Sequence, residues 1–234
     1  MEYCLVRSLA IKYIYFDLDD TLLDFSLAQE KAFEHVVSVN GLSFNSSRLT
    51  KFRQINLQLW KKFELGQMSK AQVLVQRFDQ VFAGDQIAMG AVECNEHFLK
   101  HLQDFPILIK NALEVCQTLS HSYQLGIITN GHAQTQRVRL SKSGLEPFFR
   151  SVVVSDDIGF GKPDKRIFQY ALKQLECIEP EQALMIGDKI AVDVQGALDV
   201  GMQACWYNHT GKIETEYRGA QITDLSQLLD LLEK

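Results

Sequence analysis

Short apolar runs that break off into polar, chemistry-bearing residues constrain this chain more than any other feature. Five such runs occur, at residues 13–16, 125–128, 151–155, 183–186 and 203–207. Each is strand-sized. Helix-length segments at 131–143, 163–175 and 192–200 lie between the later ones. Continuously apolar strands alternating with helices predict an α/β fold, a Rossmann-like parallel sheet covered on both faces. Such sheets place their functional residues just beyond the carboxyl ends of the strands. The residues following each run are therefore the ones to read for chemistry.

Residues 24–103 follow a different rule. They contain no strand-like run. Phe33, Val36 and Val37 recur at helical spacing, as do Phe52, Ile55, Leu59 and Phe63, and then Leu74, Phe78 and Val81. Gly41, Gly66 and Gly84 divide the stretch into helices of ordinary length. This predicts an inserted helical domain over 24–103, with residues 1–23 and 104–234 forming the α/β core. Residues 224–232 read as a closing helix.

Composition narrows the function. The 234 residues suit one large domain carrying an insert, and 46% hydrophobic with 23% charged residues is globular composition. The formal net charge of −5 argues against a protein that grips nucleic acid by neutralising phosphates. No apolar run approaches the roughly 20 residues that cross a bilayer, so no membrane partner is expected. The five cysteines, at 4, 94, 116, 177 and 205, are odd in number, widely spaced and free of Cys-x-x-Cys pairs. That pattern fits a reducing compartment. The first residues lack the basic and apolar regions of a signal peptide, so the cytoplasm is the expected location.

The first run ends in Asp17-Leu18-Asp19-Asp20-Thr21. Strand alternation places Asp17 and Asp19 on one side, where two carboxylates are costly unless a cation or a shared proton relieves them. By itself this is also compatible with a hydrated acidic turn. Thr129-Asn130-Gly131 after the second run offers donors to an anion, or a plain helix cap. In Gly159-Phe160-Gly161-Lys162-Pro163-Asp164, Pro163 suits the first position of a helix. Lys162, just before it, can reach an anion at the strand ends or lie in solvent. Gly187-Asp188 leads to Asp193, which also suits the start of a helix on charge grounds alone.

Together the four segments say more. Thr129 to Lys162 spans 33 residues and Lys162 to Asp188 spans 26, each about one strand–helix unit. Carboxylates, hydroxyl and lysine should converge on one crevice. Carboxylates suit Mg²⁺, a hard cation that prefers oxygen, and a lysine and hydroxyl beside it suit a phosphoryl group.

Asp17-Leu18-Asp19-Asp20-Thr21, Thr129, Lys162 and Asp188 with Asp193 match, in order, the four motifs of the haloacid dehalogenase superfamily of aspartyl-phosphate hydrolases, and the chain resembles that superfamily from Ile11 onward. The insert resembles its type-1 helical cap. Dehalogenases proper lack the second aspartate of the first motif, and Asp19 is present here, which favours phosphoryl transfer. Residues 127–131, 136–140, 143–145, 162–168 and 205–208, with Leu59-Trp60 and Gly66, are further similar to the noncanonical pyrimidine 5′-nucleotidases.

The resemblance implies Asp17 as nucleophile and Asp19 as general acid and base. It implies phosphoryl binding by Thr129, Lys162 and the amide groups of Asn130. Mg²⁺ is expected on Asp17, the Asp19 main-chain carbonyl and Asp188, with Asp193 orienting metal-bound water or Lys162. The cap is expected to close over the site and meet a small phosphate monoester, a pyrimidine nucleoside monophosphate such as dUMP, UMP or dTMP. Trp60, Phe63 and Arg77 are its candidate substrate contacts. A phosphatase for sugar phosphates or phosphoglycolate, a phosphomutase and a catalytically idle binding protein stay open as alternatives. Lys189 departs from the family's small polar residue and is read as pointing either at the metal or to solvent. The ten residues before Ile11 exceed the family's usual start and read as an extension or a misassigned initiation site.

Overall fold

The computed structural model describes residues 11–214 and 217–232, so the ten residues ahead of Ile11 lie outside it. The chain divides into two compact units. One holds the segment up to Phe25 together with Ile107 onward, and the other is Ser26–Pro106. The dividing points lie two and three residues beyond those read from sequence, 23/24 and 103/104.

In chain order the first unit begins with β1 (Tyr13–Phe16). The insert supplies α1 (Phe25–Val39), α2 (Ser46–Glu64), α3 (Lys70–Val81) and α4 (Ala91–Leu102). The first unit resumes with α5 (Ala112–Ser120), β2 (Gln124–Thr129), α6 (Ala133–Lys142) and β3 (Phe149–Val154). It continues through α7 (Ser155–Ile158), α8 (Lys165–Gln174), β4 (Ala183–Gly187) and α9 (Gln195–Leu198), and closes with β5 (Gln203–Tyr207), β6 (Ala220–Ile222) and α10 (Gln227–Leu232).

The six strands form one sheet in the order β3-β2-β1-β4-β5-β6, and every pairing is parallel. Burial on both faces explains why the strands read as unbroken apolar runs rather than alternating ones. β1 shows both faces at once. Ile14 and Phe16 join a core with Leu125, Ile127, Leu184 and Ile186, covered by Val115 and Leu119 of α5 and Leu228 of α10. Tyr15 points into the opposite core with Ile128, Val153 and Met185, covered by Ile167, Phe168 and Ala171 of α8. Its hydroxyl is not stranded there, because it donates to the Ala171 carbonyl at 3.0 Å. Each fully buried Leu, Ile or Phe contributes roughly 1.5–3 kcal/mol. Order in the sheet reverses between β1 and β4, which opens the crevice where ligands bind in open α/β sheets.

Local differences from the sequence reading have local causes. The third run stops at Val154, since Ser155 already begins α7. β6 is only three residues long, too short to stand out as an apolar run. Pro163 is not the first residue of α8. Asp164 caps that helix with its carboxylate on the Arg166 N–H at 2.9 Å, and Pro163 precedes the cap.

The insert is built on aromatic packing. Leu49, Phe52, Asn56 and Leu59 line the buried side of α2 at three- and four-residue steps. Phe33 of α1 stacks on Phe52 with centroids 4.1 Å apart, and Phe78, Phe82 and Phe98 surround the pair. Asn45 caps α2, and Ser69 with Gln72 forms a reciprocal capping box on α3. Among the described residues no helix is long and apolar enough to cross a membrane.

Candidate active site

β1, β2 and β4 are neighbours, so the residues after them meet at one edge of the sheet. Asp17 follows β1, and its N–H still donates to the Ile186 carbonyl of β4 at 2.9 Å. Its carboxylate accepts from the Lys162 ammonium at 2.7 Å. The same ammonium lies 2.6 Å from Asp193 Oδ1. Lys162 and Asp193 are almost wholly buried, at 2% and 0% exposure, so this is an interior charge cluster rather than a surface pair.

Two main-chain devices hold it. Asn130 exchanges a pair of hydrogen bonds with the Lys162 backbone, Nδ2 donating to its carbonyl and Oδ1 accepting its N–H, both at 2.7 Å. The carboxamide of Asn130 is thereby committed to shaping the lysine loop. At the end of β4, a side chain on Gly187 would collide with that of Asp193, so glycine is what lets Asp193 fold back against the strand. Asp193 Oδ2 in turn accepts from the Lys189 N–H at 3.0 Å.

Asp188 has a carboxylate oxygen left without a protein partner. Its Oδ1 is buried with no hydrogen bond, while the indole N–H of buried Trp206 donates to its main-chain carbonyl at 2.9 Å. One carboxylate oxygen from each of Asp17, Asp188 and Asp193 lies within 4.8 Å of the others.

The electrostatics follow from burial. Desolvation pushes the Asp17 carboxyl up to about 7, with the charges of Asp193 and Asp19 adding and Lys162 opposing. Asp188 is raised well above the ordinary carboxylate range, first by burial and then by Asp193 and Asp17. Burial alone would weaken the Lys162 ammonium, but Asp17 and Asp193 outweigh it and hold the proton on the lysine. Two carboxylates thus share one ammonium, with the third, Asp188, beside them. The orphaned Asp188 oxygen, the surplus negative charge and the all-oxygen donors fit a hard divalent cation. Lys189 is exposed, and its charge moderates the rise at Asp188.

Asp19 faces a second set of partners. It forms an ion pair with Arg139 and accepts from Gln136 Nε2 at 2.8 Å. Gln136 Nε2 also donates to Thr129 Oγ1 at 2.9 Å. The two carboxylates of the first motif are therefore relieved separately, Asp17 by Lys162 and Asp19 by Arg139. Neither Gln136 nor Arg139 carried a role in the sequence reading.

The insert candidates fare differently. Trp60 and Phe63 are half-buried and meet edge to face with centroids 5.5 Å apart. Arg77 is a correction. It is 2% exposed, donates to Asn56 Oδ1 and Asn95 Oδ1, and lies over the Phe98 and Phe78 rings. It has no surface to offer a substrate and works as a packing residue inside the insert.

Known proteins share this arrangement of sequence and fold. Residues 14–207 match the family model described as haloacid dehalogenase-like hydrolase. The HAD-hydrolase YfnB of Bacillus subtilis is 32% identical over 195 residues, 83% of each chain. Its magnesium-bound crystal structure superposes with a TM-score of 0.90 at 30% identity, covering 96% of this chain and all of that one. The pyrimidine 5′-nucleotidase YjjG of Escherichia coli is 27% identical over 93% of this chain and 97% of its own. The glyceraldehyde 3-phosphate phosphatase of Pyrococcus furiosus is 32% identical over 96% and 94%. The strand-end carboxylates, the sheet order and the extent of these matches agree, and the chain belongs to the haloacid dehalogenase-like hydrolases.

Proposed function

We propose that the protein hydrolyses phosphate monoesters through an aspartyl-phosphate on Asp17. The observation that carries this reading is the buried Asp17 carboxylate set 2.7 Å from Lys162, with a second carboxylate, Asp19, held apart on its own cation. Asp17 attacks phosphorus in line and expels the ester oxygen. Asp19 protonates that oxygen, then takes a proton from the water that cleaves the intermediate. Lys162 and the Thr129 hydroxyl hold the phosphoryl oxygens where charge is densest. Asp193 keeps Lys162 in place from its far side. Asp17, the Asp19 main-chain carbonyl and Asp188 would hold Mg²⁺, which when bound neutralises the carboxylates and draws charge from the phosphoryl group. Magnesium in the YfnB crystal supports that assignment.

For the substrate we favour pyrimidine nucleoside monophosphates. The residues shared with that nucleotidase group and the near full-length match to YjjG support this. The higher identity to the Pyrococcus phosphatase supports a second reading, a three-carbon sugar phosphate. The phosphoryl-binding residues meet groups common to all monoesters, so we assign the choice of ester to the insert. The test is kcat/KM across pyrimidine and purine monophosphates, glyceraldehyde 3-phosphate and other sugar phosphates. Pyrimidine monophosphates should rank first. Trp60→Ala and Phe63→Ala should shift the pyrimidine-to-purine ratio by about 1–3 kcal/mol, and p-nitrophenyl phosphate much less. Sugar phosphates ranking first would replace the nucleotidase reading with the second one.

A further inference from the structure

α6 buries an unusual face. Of its four buried residues, Thr135, Gln136, Arg139 and Leu140, three are polar. Buried polar groups cost roughly 1–3 kcal/mol each when unpartnered, so a face like this calls for specific partners. Gln136 has them on every side. Its amide donates to Asp19 Oδ2 at 2.8 Å and to Thr129 Oγ1 at 2.9 Å, and its Oε1 accepts from Arg139 Nη1 at 3.0 Å. A β-carbon on Gly131 would strike the Gln136 side chain, so the turn after β2 is shaped to admit it. Arg139 is fully buried, pairs with Asp19 Oδ1 and lies over the Phe25 ring at 5.6 Å.

Two consequences follow. Each oxygen of the Asp19 carboxylate has its own donor, so the carboxylate is fixed in both position and rotation. The Thr129 hydroxyl accepts from Gln136 and, at 3.4 Å, from the Gly131 N–H, which leaves its proton to be donated elsewhere. The arrangement is also expensive. Arg139 Nε and Nη2 are buried without partners, and an apolar side chain would avoid that cost.

We propose that Gln136 and Arg139 are positioning residues that lock Asp19 and Thr129 into one geometry, so that the leaving oxygen and the phosphoryl group are met together. This rests on the reading of Asp17 as nucleophile and Asp19 as acid and base. In the first half-reaction a bond forms from Asp17 Oδ to phosphorus as the bond to the leaving oxygen breaks, and the proton of Asp19 passes to that oxygen. In the second, water oxygen bonds to phosphorus, its proton returns to Asp19, and the bond to Asp17 breaks to release inorganic phosphate. An alkyl leaving group needs the proton in the first half. A p-nitrophenolate does not, yet its phosphoenzyme still needs Asp19 in the second half.

The test uses Arg139→Met, Arg139→Lys and Gln136→Leu in the full chain, with thermal melts alongside. Arg139→Met and Gln136→Leu should lower kcat/KM for alkyl phosphates by roughly 10–100-fold, through kcat more than KM; for p-nitrophenyl phosphate the loss should be no more than about threefold in Arg139→Met and larger in Gln136→Leu, which also frees Thr129, yet still several-fold smaller than its alkyl-ester loss. Rapid mixing with p-nitrophenyl phosphate should then show a burst of nitrophenolate as the phosphoenzyme accumulates. Arg139→Lys should recover part of the alkyl-ester loss. Equal losses on both esters that track a fall in melting temperature, or no loss at all, would overturn the positioning role while leaving the phosphatase reading intact. Wild-type protein that hydrolyses neither ester overturns both. If Arg139→Met does not fold, Gln136→Leu, which removes no charge, decides by the same ratio.

Discussion

Each unit of the molecule buries a cationic side chain, and the two satisfy it in opposite ways. In the α/β unit Lys162 sits between the carboxylates of Asp17 and Asp193, at 2.7 and 2.6 Å. In the insert the guanidinium of Arg77 meets only neutral groups, the amide oxygens of Asn56 and Asn95 and the faces of Phe98 and Phe78, 4.3 and 5.0 Å away. Proton affinity moves in opposite directions. The carboxylates raise that of Lys162, whereas burial lowers that of Arg77 to about 9. A buried cation among ionised groups, with carboxylate oxygen left over, is equipped for chemistry. A buried cation among amides and rings is equipped for packing.

The largest test of that contrast is Asp17→Asn. An amide is a poor nucleophile, so turnover of every phosphate ester should disappear while the thermal transition stays cooperative. Substantial turnover in a preparation shown free of wild-type enzyme would remove Asp17 from the chemistry. Next comes a pair of substitutions of similar size. Lys162→Met leaves buried carboxylates uncompensated and should cost about 3–5 kcal/mol in urea unfolding without metal. Arg77→Met leaves only amide oxygens unpaired and should cost about 1–3 kcal/mol. Equal costs would break the comparison.

Divalent metal should act on one unit alone. At a hundredfold excess over its dissociation constant Mg²⁺ should add about 2.7 kcal/mol to the stability of the folded protein. Asp188→Asn should erase most of that gain, and hydrogen exchange should place the protection at β1 and β4 rather than at α3.

The last effect expected is the sharpest in sign. The Asp17 carboxyl is raised from 3.8 to about 7, so the native state holds its proton more tightly than the unfolded chain does. Its contribution is present below pH 3.8 and is lost as the pH rises through about 7 when chelator is present. His35 in the insert is shifted the other way, first by burial and then by His101 and His97, whose rings stand 4.1 and 5.9 Å from its own. Its contribution is present above about pH 6.5 and is lost as the pH falls through its lowered value. Hydrogen exchange at β2 and α3, followed across about pH 5–8, should therefore slope in opposite directions. Parallel slopes would show that the two units do not differ in this way.

Much of the α/β unit was legible because chemistry there sits immediately after an apolar run. Asp17, Thr129 and Asp188 are found by walking off the end of a strand, and Lys162 lies further along its connection, past α7. What sequence hid were the ends of long side chains. Arg77 lies at helical spacing on a face that reads as amphipathic, and nothing along the chain says that its guanidinium folds inward over two phenylalanines. The bonds of the Asn130 carboxamide to the Lys162 backbone are invisible along the chain, because its turn chemistry is the same whether its amide meets phosphate or a neighbouring backbone. Gln136 and Arg139 did leave a signal. They stand three residues apart beside Leu140, so polar groups share the buried side of α6 with a core residue, immediately after a strand end that carries chemistry.

The hydrogen bond from Trp206 to the Asp188 carbonyl has an optical consequence. The chain has two tryptophans, and each unit holds one, Trp60 in the insert and Trp206 at the end of β5. The buried indole of Trp206 is tied by its N–H to the very loop that carries the unpartnered carboxylate oxygen, and it meets Tyr217 edge to face at 5.7 Å. In a Trp60→Phe protein all indole emission comes from that one ring. Its colour and intensity then become an intrinsic gauge of what happens at Asp188, with no label added.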